Sequence, residues 1–249
     1  MDITTLEACT LRAWPALETE HYDGWALRFA NGYTGRANSV YPLYPSTIDL
    51  PTKLDTCEAF YRARGLNASF KLTAAACPPE LDAQLERRGY ARQNDTGVMA
   101  VDLRAATLPE PHQSVELDDH ADDAWIDTYC AFNPAQARHR ATIGKLLAKI
   151  EPRRHFATVR LNDETVAIGL AVHDGQYVGL FDIAVRADVR RQGIGRALVS
   201  ALLRQAQADG ATTGYLQVVA GNAPAISLYQ QLGFQSLYPY WYRVKTVKS

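Results

Sequence analysis

Tyr177-Val-Gly-Leu-Phe-Asp-Ile-Ala-Val185, followed by Arg186-Ala-Asp-Val-Arg-Arg-Gln-Gly-Ile-Gly-Arg-Ala-Leu-Val199, is the stretch on which the fold turns. It reads as a buried strand running through a short basic loop with two glycines into a helix. From Ile194 the apolar residues fall at Ala197, Leu198, Ala201 and Leu202, the spacing of an amphipathic helix, and Gly210 stands where a C-terminal glycine is expected. The helix is predicted to start at or near Gly193. Such a helix start leaves backbone N–H groups without intrahelical partners at the positive end of the helix dipole. Gly193 and Gly195 put no Cβ in the way of a phosphate, and Arg190, Arg191 and Arg196 add positive charge. The expected ligand carries a di- or polyphosphate.

Two common phosphate motifs fail. A P-loop needs a Gly-Lys-Ser/Thr ending, and none is present. A dinucleotide fingerprint needs a third glycine where this chain has Leu198, and an acidic residue about twenty positions on, where it has Gly214-Tyr215-Leu216-Gln217. What remains is Arg190-x-x-Gly193-x-Gly195. It resembles the acetyl-CoA loop of the GCN5-related N-acetyltransferase superfamily, whose pattern is Gln/Arg-x-x-Gly-x-Gly/Ala after an apolar strand. A second block strengthens the likeness. The strand Tyr215-Leu-Gln-Val-Val219 precedes Asn222-Ala-Pro-Ala-Ile-Ser-Leu-Tyr-Gln-Gln-Leu-Gly-Phe234, which is similar to the superfamily's asparagine and Ala-x-x-Leu-Tyr-x-x-x-Gly-Phe helix.

The resemblance implies an acetyl-CoA site and assigns its residues. Backbone groups of Ile183, Ala184 and Val185 would pair with the pantetheine amides as an added strand does. The N–H groups from Arg191 through Gln192, Gly193, Ile194 and Gly195 to Arg196 would hold the pyrophosphate, with Arg190 beside them. Asn222 is an expected cofactor contact, although before Ala223-Pro224 it is also a good helix N-cap. Tyr229 sits where the superfamily commonly keeps the acid that protonates the departing thiolate; it also shares the packing face of Ala225, Leu228 and Leu232. For the base, Asp182 is the carboxylate nearest the expected opening between strands, but strand alternation can point it away. Water relayed by backbone carbonyls is the alternative. The Leu180–Phe234 region also resembles enzymes that acetylate ribosomal-protein N-termini; they use a glutamate at the position that here matches Gln217.

The rest of the chain sets limits. Its 249 residues, net charge of -1 and 47% hydrophobic content allow one large or two small cores and no basic block for a nucleic-acid partner. Met1-Asp-Ile-Thr-Thr-Leu-Glu7 lacks a signal-peptide pattern and no apolar run approaches a bilayer span, so no membrane partner and a cytoplasmic location are expected. Cys9, Cys57, Cys77 and Cys130 lack CxxC spacing and read as reduced, packed thiols. No histidine spacing predicts a metal.

A helix is predicted over 3–14, strands over 24–29 and 38–44 joined through Asn31-Gly32 and Gly35, a helix over 54–64, a strand over 68–72, a helix after Pro78-Pro79 and a strand over 97–103. Residues 104–113 have linker composition. Beyond them come a strand at 114–117, helices over 122–132 and 135–150, and a hairpin over 155–172. The order from Ala68 to Leu103 repeats from Thr213 to Val247, with Leu85-Glu-Arg-Arg-Gly-Tyr90 over Tyr229-Gln-Gln-Leu-Gly-Phe234. The predicted fold is therefore α/β (α+β): two tandem acyl-CoA N-acyltransferase-like domains, each a mixed, mostly antiparallel twisted sheet flanked by helices. Residues 1–105 form a degenerate copy without the cofactor loop, 106–113 a linker and 114–249 the catalytic domain.

The resemblance implies an N-acetyltransferase acting on a primary amine of a small molecule, such as an amino acid, polyamine or antibiotic-like compound, as a monomer or homodimer. A peptide or protein N-acetyltransferase and a non-catalytic acyl-CoA sensor are the competing readings. Acceptor selection is expected from the loop Phe132–Arg140 and the aromatic run Tyr238-Pro-Tyr-Trp-Tyr242; Arg138, His139, Arg140, Arg153 and Arg154 form a basic cluster that would suit an acidic acceptor or simply face solvent.

Overall fold

A computed structural model describes residues 2–246. The first half contains α1 (Ile3–Ala13), β1 (Glu18–Tyr22), β2 (Trp25–Phe29), β3 (Val40–Tyr41), α2 (Leu50–Arg62), β4 (Ala68–Leu72), α3 (Leu81–Arg87) and β5 (Ala91–Asp102). The second contains β6 (Glu116–Asp118), α4 (Asp123–Phe132), α5 (Arg140–Ala148), β7 (Arg154–Leu161), β8 (Glu164–Asp174), β9 (Tyr177–Val185), α6 (Ile194–Ala208), β10 (Thr213–Val219), α7 (Ala223–Gln231) and β11 (Gln235–Lys245).

The strands join one mixed sheet in the order β1-β2-β3-β4-β11-β5-β10-β9-β8-β7-β6. Its pairs are antiparallel except β3–β4 and β9–β10, each linked by a crossover helix, α2 and α6. Outward from the centre, β11-β4-β3-β2-β1 mirrors β5-β10-β9-β8-β7. The halves therefore exchange their last strands: β5 lies between β10 and β11, and β11 lies between β4 and β5. The repeat holds in detail. α3 and α7 end on Gly89 and Gly233 with φ of 83° and 87°, and Tyr90 N–H to Leu85 O and Phe234 N–H to Tyr229 O are both 3.0 Å. Its last residue, Val247, lies outside the described residues.

One face carries α1, α4 and α5 over Phe156, Ile168, Leu170 and Phe181; the other carries α6 and α7 over Val166, Leu180 and Leu216. A third cluster sets Leu54, Tyr61, Leu81 and Leu85 of α2 and α3 against Phe70. α1 crosses onto the second half: Trp14, which caps it, stacks on Phe181 with ring centroids 5.3 Å apart, and Arg12 pairs with Asp174 at 2.7 Å.

Some expectations are corrected. β1, Glu-Thr-Glu-His-Tyr, is an exposed polar edge strand with no alternation to reveal it, so a first hairpin turns at Asp23-Gly24, ahead of the two expected strands, which pair antiparallel as β2 and β3 across the loop holding Asn31-Gly32. The helix expected over 135–150 is a 3-10 segment, Pro134–His139, followed by α5. The linker is packed along α6, with Leu108 buried and Arg204 donating to Leu108 O at 3.3 Å and pairing with Glu110.

Candidate active site

The parallel pair β9–β10 is in register from Tyr177↔Thr213 to Leu180↔Leu216 and pairs no further, although both strands continue. The sheet forks there. Phe181-Asp182 lines one arm at the mouth and Gln217-Val218 the other.

Asp182 owes its direction to a β-bulge. Between the pairs Leu170↔Phe181 and Ile168↔Ala184, two residues, Asp182 and Ile183, face the single Gly169, and Asp182 takes a φ of 50°. Simple alternation would put Asp182 on the α6 face with Leu180. The bulge turns it to the opposite face, beside Phe181, while Ile183 and Val185 return to the α6 side. There Arg36 Nη2 lies 3.5 Å from Asp182 Oδ1; the carboxylate side chain is 5% exposed and Oδ2 is buried without a hydrogen-bond partner. Burial pushes the Asp182 carboxyl up to about 6, against the opposing pull of the Arg36 charge.

Arg36 comes from the first half of the chain and was not among the expected site residues. Its loop is braced by Asn38, whose Oδ1 accepts from Ala30 N–H at 2.8 Å and Gly32 N–H at 3.0 Å and whose Nδ2 donates to Thr34 O at 2.9 Å. The Arg36 carbonyl accepts from Arg28 Nη1 at 2.7 Å and Tyr41 Oη at 3.0 Å, and its guanidinium lies over the Trp14 ring, 4.4 Å from the centroid. Tyr33 and Tyr129, bonded through their hydroxyls at 2.9 Å, close the same side; burial first, then the Asp182 charge, raises both phenols. Across the fork Tyr240 Oη donates to Gln217 Oε1 at 3.0 Å, and Gln217 Nε2 is a second buried polar atom without a partner. The run Tyr238-Tyr240-Tyr242 packs as a strand: all three rings are buried in the core that includes Tyr33 and Phe181. His139 of the 3-10 segment lies 5.7 Å from the Tyr33 ring, whereas Arg140 and Arg153, two of the four arginines of the expected basic cluster, are paired with Asp123, Asp127 and Asp209.

At the end of β9 the chain passes through Arg186–Arg190 into α6. Gly193 is the residue before the helix, left-handed at φ 81°, and no side chain caps it. The first intrahelical bond at this end is Ala197 N–H to Gly193 O at 2.9 Å, so the amides of Ile194, Gly195 and Arg196 lie outside the ladder. Arg190, Arg191, Gln192 and Arg196 are exposed around them, Arg190 Nε donating to Val185 O at 3.1 Å. A Cβ on Gly193 would meet the His112 ring at 2.7 Å, which brings a connecting-segment residue to the loop. α7 packs alongside: Leu228 Cδ2 and Val185 Cγ2 would each lie 3.4 Å from a Cβ on Gly195. Tyr229, one residue on, is packed against Phe234, and burial pushes its phenol up to about 12. Asn222 caps α7, its Oδ1 accepting from Ala225 N–H at 3.3 Å. The uncapped helix end, the glycine there and the fork leading to it fit a phosphate-tailed thioester.

Comparisons with known proteins agree. The family described as "Probable histone acetyltransferase Rv0428c C-terminal" matches residues 1–243. The chain is 27% identical over 250 residues to "Uncharacterized N-acetyltransferase YobR" of Bacillus subtilis, spanning 98% of this chain and 99% of that one. It is 29% identical over 237 residues to "Probable histone acetyltransferase Rv0428c" of Mycobacterium tuberculosis, spanning 94% and 70%. A GCN5-related N-acetyltransferase from Kribbella flavida has the same fold, with TM-score 0.74 at 17% identity over 100% of this chain and 97% of that one. A tandem GNAT protein from the clavulanic acid biosynthesis pathway superposes with TM-score 0.63 at 10% identity over 98% and 89%. With nearly its whole length matched, the chain belongs to the Rv0428c C-terminal acetyltransferase family, within the GCN5-related N-acetyltransferase superfamily, and is an acyltransferase.

Proposed function

We propose that the chain moves an acetyl group from acetyl-CoA to a primary amine of a small molecule, an amino acid, polyamine or antibiotic-like compound, in the fork between β9 and β10. The observation that carries this reading is Asp182: a buried carboxylate with one oxygen unpartnered at the fork mouth. The amine nitrogen must lose a proton as the C–N bond forms, and a carboxylate with one free oxygen and a pKa about 6 is ionised at neutral pH and can accept that proton once attack has made it acidic. The enclosure formed by Tyr33, Tyr129, Arg36 and Tyr240 favours a slender acceptor. A protein acceptor is the second reading, supported by the name of the Mycobacterium tuberculosis relative. Thiol release across polyamines, amino acids, aminoglycosides and peptides separates the two: turnover confined to peptides rejects the first.

Bound acetyl-CoA would supply the thioester. Backbone groups of Ile183, Ala184 and Val185 would hold its pantetheine arm, and the amides from Arg191 to Arg196, with Arg190, its pyrophosphate. Asn222 Oδ1 is committed to its cap, which leaves Nδ2 for the cofactor. Gly193→Ala forces a side chain into the left-handed region and against His112. It is expected to raise KM for acetyl-CoA roughly tenfold, from about 1–2 kcal/mol of backbone strain, with kcat kept; an unchanged KM argues against the loop as the phosphate site.

Tyr229, pushed up to about 12, stays protonated at neutral pH. Full proton transfer to a thiolate of pKa about 8.5 is uphill, so Tyr229 acts as a hydrogen-bond donor that stabilises the departing sulfur. Tyr229→Phe is expected to lower kcat about 10²-fold with cofactor affinity kept; an unaffected kcat leaves Tyr229 a packing residue.

The first half, residues 1–105, would be a degenerate copy, joined through 106–113 to the catalytic half, 114–249. α2, the counterpart of α6, opens on Asp49, whose carboxylate accepts from Thr52 N–H at 3.0 Å. A negative charge thus stands where α6 offers free amides. The free thiols of Cys9, Cys57, Cys77 and Cys130 suit a reducing cytoplasm.

A further inference from the structure

His155, His173 and Asp209 lie at no metal-binding spacing in the sequence. β7, β8 and the C-terminal end of α6 nevertheless bring one ligand atom of each within 4.8 Å of the others. Asp209 Oδ1 is held by Arg153 Nη1 at 2.9 Å and Gln205 Nε2 at 3.2 Å. Oδ2 therefore faces both rings, 2.6 Å from His155 Nε2 and 3.5 Å from His173 Nε2. His173 is 7% exposed and its Nε2 is buried without a hydrogen-bond partner, a costly arrangement for a polar atom. We propose that His155 Nε2, His173 Nε2 and Asp209 Oδ2 bind a divalent transition-metal ion, zinc by their chemistry, at the far end of α6 from the cofactor loop.

Two imidazoles and a carboxylate are a zinc-type donor set, and metal–ligand bonds of about 2.0–2.1 Å put tetrahedral donors about 3.4 Å apart. The His173–Asp209 separation already matches. The His155 side chain, 17% exposed at the rim, has room to swing from its 2.6 Å hydrogen bond out to that spacing, and the three donors, now within 4.8 Å of one another, draw together around the ion. Arg153 and Gln205 occupy the other carboxylate oxygen as outer-sphere donors do, fixing a monodentate ligand. A cavity of about 380 Å³ lined by Asp119, Glu151 and His155 gives solvent a route and a water the fourth position. The ion would tie the last turn of α6 to β7 and β8. Across the helix's 15 residues, about 22 Å, it would not touch the reaction.

Titration of the untagged full chain with zinc by calorimetry, and with cobalt by visible absorption, tests this. One equivalent should bind, the cobalt bands should be those of a four-coordinate ion displaced by zinc, the thermal midpoint should rise, and the acetyl-transfer rate should not change. His155→Gln and Asp209→Asn should each weaken binding by about 100-fold or more. If Asp209→Asn does not fold, the rim variant His155→Gln decides, with circular dichroism confirming its fold. Absence of stoichiometric binding, or binding that survives His155→Gln, overturns the proposal.

Discussion

Asp182→Asn is expected to lower kcat for acetyl transfer by roughly 10²–10⁴-fold, the range for loss of a general base, while KM for acetyl-CoA changes little. The substitution keeps the side chain's shape at a 5% exposed position and removes the proton acceptor. The pH dependence follows from the same group. Because burial raises the Asp182 carboxyl to about 6, the base is ionised above that pH and neutralised below it. The kcat/KM of the unsubstituted protein should therefore fall as pH drops through about 6, and that limb should vanish in Asp182→Asn. Arg36 lowers this pKa, so Arg36→Met should move the limb to higher pH, a shift that a purely structural role for Arg36 would not produce. A full kcat in Asp182→Asn would return the proton transfer to water relayed by backbone carbonyls.

Lys71→Met should destabilise the fold by about 3–5 kcal/mol, the usual cost of stranding one member of a buried ion pair. Lys71 Nζ lies 2.6 Å from Glu7 Oε2 with both side chains essentially unexposed, and Tyr238 Oη donates to Glu7 Oε1 at 2.9 Å. Without the lysine, a carboxylate remains buried with one phenol for company. The three residues belong to α1, β4 and β11, so the network joins the helix that covers β8 and β9 to β4 and to the exchanged strand β11 beside it. For a chain of this length the loss corresponds to a thermal midpoint lower by roughly 10 °C. Glu7→Gln combined with Lys71→Met should recover most of it, since removing both charges leaves no uncompensated ion. Denaturant unfolding of the unsubstituted protein and the two variants checks this, and a loss under about 1 kcal/mol for Lys71→Met would mean that water reaches the pair.

Much of the cofactor end was legible in the residues. Strand β9, the glycine turn at Gly193 and the stripe of α6 are short-range patterns. So is the paired ending of α3 and α7 on a glycine and an aromatic residue. Each depends on backbone sterics and burial periodicity within about fifteen neighbouring positions, as helix length and repeat require. The acceptor end was not legible. Alternation left the direction of Asp182 open, because one extra residue opposite Gly169 reverses it and nothing in the apolar run marks where the bulge falls. Arg36 looked like part of a loop in a half without chemistry; only the exchange of β5 and β11, with α1 laid over β9, brings it to the carboxylate. His155, His173 and Asp209 meet for the same kind of reason, at the end of a helix packed on two strands. Chain-local stereochemistry could specify which segments became helix or strand and where helix amides stand unpaired. Which distant side chains share a cleft came from strand pairing and face-to-face burial, whose energies depend on contacts between residues that no local pattern relates.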